Sequence, residues 1–436
     1  MTILNTPGRG EIGAGLARDH YRAETPDLLD RWAPVSDWLW ARRAAGLLAQ
    51  PRVSGSAPGR QAAGQDAQGL ELSGLDFAAR DHLSLAAHTE VREAAAEALE
   101  RFGPHAAGPL PGNGQSSLSV ALETCLAEFL AYEHATIFAN GWAAGLGVLR
   151  TLLTAQDRVV LAGSAWLCMR QAAELATPNI STLSEIKPAA LESLLAGLRA
   201  RDTQAGILVM TEALDTGQRQ VAQVGALQDV CDAYRATLLV DISRDLAATG
   251  ATGRGVLEDQ DMLGTVDVVT GSMARSLASP AGFVASNHPA LRDALRHVGT
   301  GQGCSSALPP VQAAAALAAL KLAAGTEGDV RRARIGRSLK RLQTALKQRG
   351  FSPLPTCGAE ISVAAGDLAQ ARRRQAAAQS LGAVIGLEEG DGGACEWRLQ
   401  IQAAHELSDC VALAERMMQA CVLADRAHWT PPVLGA

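Results

Sequence analysis

Apolar positions recur at helical spacing in two early stretches of the chain. Over Thr89–Phe102, the residues Val91, Ala95, Ala98, Leu99 and Phe102 fall on one face. Ser117–Tyr132 repeats the pattern with Leu118, Leu122, Cys125, Leu126 and Phe129. Beyond them, short apolar runs at Ala135–Phe138, Arg158–Leu161, Gly206–Met210, Thr237–Val240 and Val266–Thr270 alternate with helical stretches. Strands buried on both faces read as such runs, so the alternation predicts a mostly parallel central sheet flanked by helices, an α/β fold. Helices are predicted at Pro310–Ala324 and Asp329–Arg349. Strands at Glu360–Ala364 and Trp397–Gln402, with helices at Asp367–Leu381 and Glu406–Leu423, then predict a smaller C-terminal α/β unit.

The N-terminal part lacks this regularity. The first twenty residues are rich in glycine and small side chains and are expected to fray. Pro26–Leu48 carries Trp32, Trp38 and Trp40 among leucines and reads as a partly helical arm docked on an apolar surface. Pro51–Gly69 has little periodicity and reads as a surface loop or linker. The expected organisation is an arm and linker (1–69), a large domain (70–300) and a C-terminal α/β domain (301–436), a division that suits 436 residues.

Composition mainly excludes. A net charge of −6 argues against a nucleic-acid partner, which wants a basic stripe. No uncharged apolar run reaches membrane-spanning length, and the N-terminus lacks the layout of a secretory signal. The eight cysteines are scattered with no CxxC pair, so neither a metal site nor a disulfide framework is expected, and a reducing cytoplasm is the expected location.

Several stretches carry a resemblance. Residues 394–411, "ACEWRLQIQAAHELSDCV", are similar to the C-terminal "RLRxxxxAAH" stretch of the α-oxoamine synthases, fold-type I pyridoxal-phosphate enzymes that include 8-amino-7-oxononanoate synthase. Residues 75–95 (LDFAARDHLSLAAHTEVREAA), 99–130 (the glycine-rich loop and its following helix), 135–149 (ATIFANGWAAGLGVL), 238–255 (LLVDISRDLAATGATGRG), 266–286 (VDVVTGSMARSLASPAGFVAS) and 303–315 (GCSSALPPVQAAA) resemble further family motifs in the family's order. Each motif is weak alone, but together they cover roughly residues 26 to 425. The resemblance implies a fold-type I architecture and a dimer that condenses an amino acid with an acyl thioester. Fold does not carry activity, which depends on each functional position.

The family's Schiff-base lysine, in "TFSKA", corresponds to Arg275 of Ser272-Met273-Ala274-Arg275-Ser276, and no lysine lies between Lys187 and Lys321. A guanidinium stays protonated and is a poor nucleophile. The histidine of the family's "DEAH" is Arg244, which can neither accept a hydrogen bond nor act as a neutral acid or base. The stacking histidine is Trp166, for which filling space is favoured over stacking on a ligand. The first arginine of "RLR" is Glu396, a charge reversal that disfavours a carboxylate substrate, while Arg398 keeps the second. His82 stands at the substrate-facing position of the 75–95 motif. Asp241 keeps the carboxylate that serves the pyridine nitrogen, although a strand-end aspartate bonding backbone amides is an equal reading. With Ser272, Asn140 and Gly141 it forms the vestige of a cofactor site.

The loss is site-wide, so no residue is expected to be catalytic and no covalent cofactor is expected. The leading expectation is a non-catalytic subunit paired with an intact α-oxoamine synthase paralogue that carries the pyridoxal phosphate. Acyl-CoA or an acyl-carrier protein would be reached only through that complex. Ser305 and Ser306 keep the hydroxyls that the family's "STSLPP" stretch lends to the neighbouring subunit. The alternative is a homodimeric ligand-binding or regulatory protein on the same fold that works without the cofactor.

Overall fold

The computed structural model describes residues 17–48, 52–66, 71–390 and 394–426. Fifteen strands are formed: β1 Arg52–Ser54, β2 Gln61–Asp66, β3 Glu71–Phe77, β4 His134–Phe138, β5 Arg158–Ala162, β6 Ile180–Leu183, β7 Ile207–Glu212, β8 Leu214–Asp215, β9 Gln220–Val221, β10 Thr237–Asp241, β11 Val268–Ser272, β12 Gly282–Ser286, β13 Glu360–Asp367, β14 Ala383–Glu389 and β15 Ala394–Gln400. The large sheet runs β4-β12-β11-β10-β7-β5-β6, and within it only β12 is antiparallel to its neighbours. Val159, Val209, Leu238, Leu239, Val240 and Val269 in its central strands are fully buried, as apolar runs between two helical layers must be. This is the predicted mostly parallel sheet. Helices Thr89–Phe102 and Pro310–Ala324 have the predicted bounds, because their apolar faces have an unambiguous period.

The N-terminal region differs from expectation. Residues 1–16, most of the stretch expected to fray, lie outside the described residues. The segment read as a surface loop or linker instead supplies β1 and β2. They lead through β3 into a second, six-stranded sheet ordered β1-β2-β3-β14-β15-β13. The expected boundary at residue 69 therefore cuts through strands that share a sheet with the C-terminal unit. The signal was hidden because this segment pairs through backbone bonds with Gly, Ala and Gln side chains. A Cβ on Gly64 would lie 2.2 Å from the Val53 carbonyl oxygen, so close strand approach demands glycine here.

The arm is helical at Ala33–Ala44, but Trp32 and Trp40 face outward. What holds it is the buried Arg42, which pairs with Glu389 at 2.8 Å and lies over the Trp38 ring. Within the six-stranded sheet's unit, β3 is tied to the turn that follows β15. There His405 stacks on Phe77 with ring centroids 3.9 Å apart, its Nε2 lies 2.9 Å from the Asp76 carbonyl oxygen, and its Nδ1 accepts from the Gln402 amide. Burial pulls its pKa down to about 4, so it works as a neutral bridge.

Candidate functional site

Parallel strands leave their carboxyl ends at one edge, where α/β sheets bind ligands. In the large sheet β7 ends on Glu212, β10 on Asp241 and β11 on Ser272, with Asp241 in register with Glu212. Two acidic side chains side by side in a poorly hydrated place repel each other. Burial, and after it the Asp241 charge, pushes the Glu212 carboxyl up to about 8. Asp241 is itself shifted upward by burial and accepts from the Ser243 amide at 2.7 Å. That is the backbone-bonding reading of Asp241.

At the Glu212 end of β7 lies a cavity of about 450 Å³. Trp166, at the start of helix Leu167–Ala176, donates its backbone N–H to Glu212 Oε1 at 3.0 Å. Its indole faces two guanidiniums, Arg244 at 4.7 Å and Arg275 at 5.5 Å from the ring centroid, both within cation–π reach. Arg275 ends the short turn Met273–Arg275 after β11 and is only 6% exposed. Burial, then Arg244 and Arg80, lowers its pKa to about 9, so it remains charged at neutral pH.

The six-stranded sheet supplies the opposite wall. Glu360 on β13 accepts from Arg398 at 3.0 Å and from Gln400 at 2.9 Å, and Arg244 approaches the same carboxylate at 3.5 Å. Burial opposes ionisation of Glu360, but Arg244 and Arg398 outweigh it and hold the pKa below the usual carboxylate range. Arg398 also reaches Thr216 Oγ1 at 3.2 Å and Glu388 at 2.5 Å. Arg80 completes the lining from the turn after β3.

The structure thus gathers Trp166, Arg244, Arg275 and Arg398 around one cavity, with Asp241 in register beside the lining residue Glu212. Glu396 is not among the lining residues: it forms an ion pair with Arg219, so its charge is neutralised within the fold. The repulsion expected of it is correspondingly weakened. His82 does not face the cavity either. It is buried, its Nδ1 donates to the Ile401 carbonyl at 3.0 Å, and its backbone accepts from Ala403 and donates to the Arg275 carbonyl. Burial brings its pKa to about 4, and it pins the Arg275 turn to the C-terminal sheet.

Asn140, Gly141 and Ser272 meet at a second place, the N-terminus of helix Gly141–Leu152. Asn140 Oδ1 caps it by accepting from the Ala143 amide at 2.8 Å. A Cβ on Gly141 would come within 2.8 Å of Ser272 Cβ, so glycine is required by close approach. Ser305 and Ser306 lie on an exposed loop before helix Pro310–Ala324. Sequence reasoning gave no role to Glu212, Glu360, Gln400 or Arg80. A glutamate opening the apolar strand "EISVA" was the one available signal for Glu360. Among the described residues no group of His, Cys, Asp or Glu side chains could hold a metal, and no helix is long and apolar enough to cross a membrane.

The chain is similar to known proteins in sequence and in fold. Residues 74–408 match the family model described as aminotransferase class I and II. The protein named 8-amino-7-oxononanoate synthase in Geobacter sulfurreducens is 28% identical over 345 residues, covering 76% of this chain and 84% of that protein. A Mycobacterium tuberculosis protein assigned as 8-amino-7-oxononanoate synthase 2 is 32% identical over 270 residues. That match covers 62% of this chain and 34% of the relative, so the chain spans about a third of that longer protein. Among solved structures, serine palmitoyltransferase of Sphingomonas wittichii superposes with a TM-score of 0.83 at 24% identity, covering 91% of this chain and 99% of that one. This last likeness establishes the fold-type I architecture.

Proposed function

The chain belongs to the aminotransferase class I and II family, on its α-oxoamine synthase branch, and we propose that it is a non-catalytic subunit of a heteromeric α-oxoamine synthase. In this reading a paralogue bearing pyridoxal phosphate condenses the amino acid with the acyl thioester, and this chain stabilises or completes its site. The observation that carries the reading is Arg275 in the lysine position. The chain has four lysines, Lys187, Lys321, Lys340 and Lys347, and none lines the cavity.

Pyridoxal phosphate, bonded to an amine, supplies the electron sink for such chemistry. The residues here do not fit it as a covalently held group. No amine is present at the site, and the indole in the stacking position faces guanidiniums from Arg244 and Arg275. The general acid–base position is also a guanidinium. The exposed hydroxyls of Ser305 and Ser306 support a role toward a neighbouring subunit.

The test is reconstitution. Co-expression with a lysine-bearing paralogue should yield a stoichiometric heterodimer whose activity neither chain has alone. The purified chain should show no Schiff-base absorbance with added pyridoxal phosphate, and Arg275→Lys alone should not restore turnover. A borohydride-trapped adduct on this chain would overturn the reading. A stable self-dimer that ignores the paralogue would favour the cofactor-independent homodimer.

A further inference from the structure

We infer that the cavity at the Glu212 end of β7 is a binding site for a small, doubly charged oxyanion, gripped between the guanidiniums of Arg275 and Arg80. The inference rests on the reading that no cofactor is bonded there.

A buried guanidinium normally meets carbonyls or carboxylates, because its desolvation is costly. Arg42 and Arg332, the other deeply buried arginines, obey this rule. Arg42 pairs with Glu389, and Arg332 donates to the Ala323 carbonyl at 2.8 Å and to Asp329 at 2.5 Å. Arg275 is as deeply buried, yet its guanidinium has no hydrogen bond or ion pair among the described residues. The acids around it are committed elsewhere. Glu360 serves Arg398, Gln400 and Arg244, Glu212 holds the Trp166 amide, and Asp241 holds the Ser243 amide.

Arg80 lines the same cavity, is exposed at its rim, and has no acidic partner among the described residues. Its field and that of Arg275 repel each other across the cavity. Protonation of Glu212 near neutral pH removes one of the few counter-charges. An oxyanion between the two guanidiniums would accept from both planar forks and relieve that repulsion. About 450 Å³ admits a short dicarboxylate or a small phosphate ester.

The experiment is calorimetric titration of the full-length chain in low-chloride buffer with two probes, succinate and inorganic phosphate. One of them should bind at one site per chain, and the stronger names the class. Arg275→Gln should weaken binding at least tenfold, and Arg80→Gln severalfold. Because Arg80 is exposed, that variant keeps the test alive should Arg275→Gln misfold. Arg92→Gln, on an outer helix, should change nothing. Absence of millimolar binding by either probe, or binding that survives both cavity variants, overturns the inference. The same samples treated with pyridoxal phosphate and borohydride separate the two conclusions: a trapped adduct defeats the functional reading, whereas absent anion binding defeats only this one.

Discussion

Two buried arginines in this protein, Arg332 and Arg275, sit at the same depth in opposite surroundings. Arg332, on helix Thr326–Gln348, is 8% exposed and bonded to two carbonyls and a carboxylate. Gly253 leaves room for it, since a Cβ there would lie 2.6 Å from its Nη1. Arg275, 6% exposed, lies against an indole and an open cavity. The first guanidinium is a structural pin whose desolvation the fold offsets. The second carries charge that no hydrogen bond or ion pair among the described residues compensates, as expected of a group kept for something outside the chain.

Substitution of Arg332 should give the largest effect. Arg332→Met leaves two carbonyls unpaired and should cost about 4 kcal/mol in urea unfolding. A loss below about 1 kcal/mol would erase the contrast drawn above.

Glu212 comes next, through pH. Its folded pKa, about 8, lies above the unfolded value, so the native state binds more protons between roughly pH 4.5 and 8. Stability should fall across that window, and Glu212→Gln should flatten the slope. A wild-type chain whose stability rises through the same window would show that the two strand-end acids are not coupled as described.

Glu360 has the opposite sign. Its folded pKa is depressed, so its contribution is present above the unfolded carboxylate pKa and is lost as pH falls through the lower folded value. Glu360→Gln should cost about 2 kcal/mol at pH 7 and progressively less in acid, read from unfolding midpoints.

The smallest effect sharpens the comparison most. Arg275→Met should leave stability unchanged or raise it by up to about 1 kcal/mol, because it removes a buried charge without orphaning a partner. A loss comparable to that of Arg332→Met would mean that Arg275 is another pin.

Much of this contrast could be read in the sequence, though unevenly. The strands of the large sheet and the helices around it announce themselves by period, since both faces of the sheet and one face of each helix are buried. Arg275, Trp166 and Arg244 were found through motif register, and the fold places them around one cavity. The partner relations were not legible. Glu396 meets Arg219 across 177 positions, and Glu360 meets Arg244 across 116. A local pattern carries no record of such pairings. His82 shows a related limit: its motif position points toward substrate, and only burial shows it as a neutral bridge between backbones. The strands in the Pro51–Gly69 segment escaped because their side chains are small and their cohesion is backbone to backbone.

The six-stranded sheet has a consequence for the order in which the molecule can assemble. Its β3 lies near the start of the chain and pairs with β14, Leu75 opposite Ala383. During synthesis β3 must wait about 300 residues for β14 to emerge, while the large sheet, built between residues 134 and 286, can close earlier. A stalled or truncated chain would thus present an unsatisfied strand edge, the kind that recruits chaperones or neighbouring chains. The late seam is the one that carries Arg398 and Gln400 to the cavity, so the cavity forms only once β14 and β15 have joined β3.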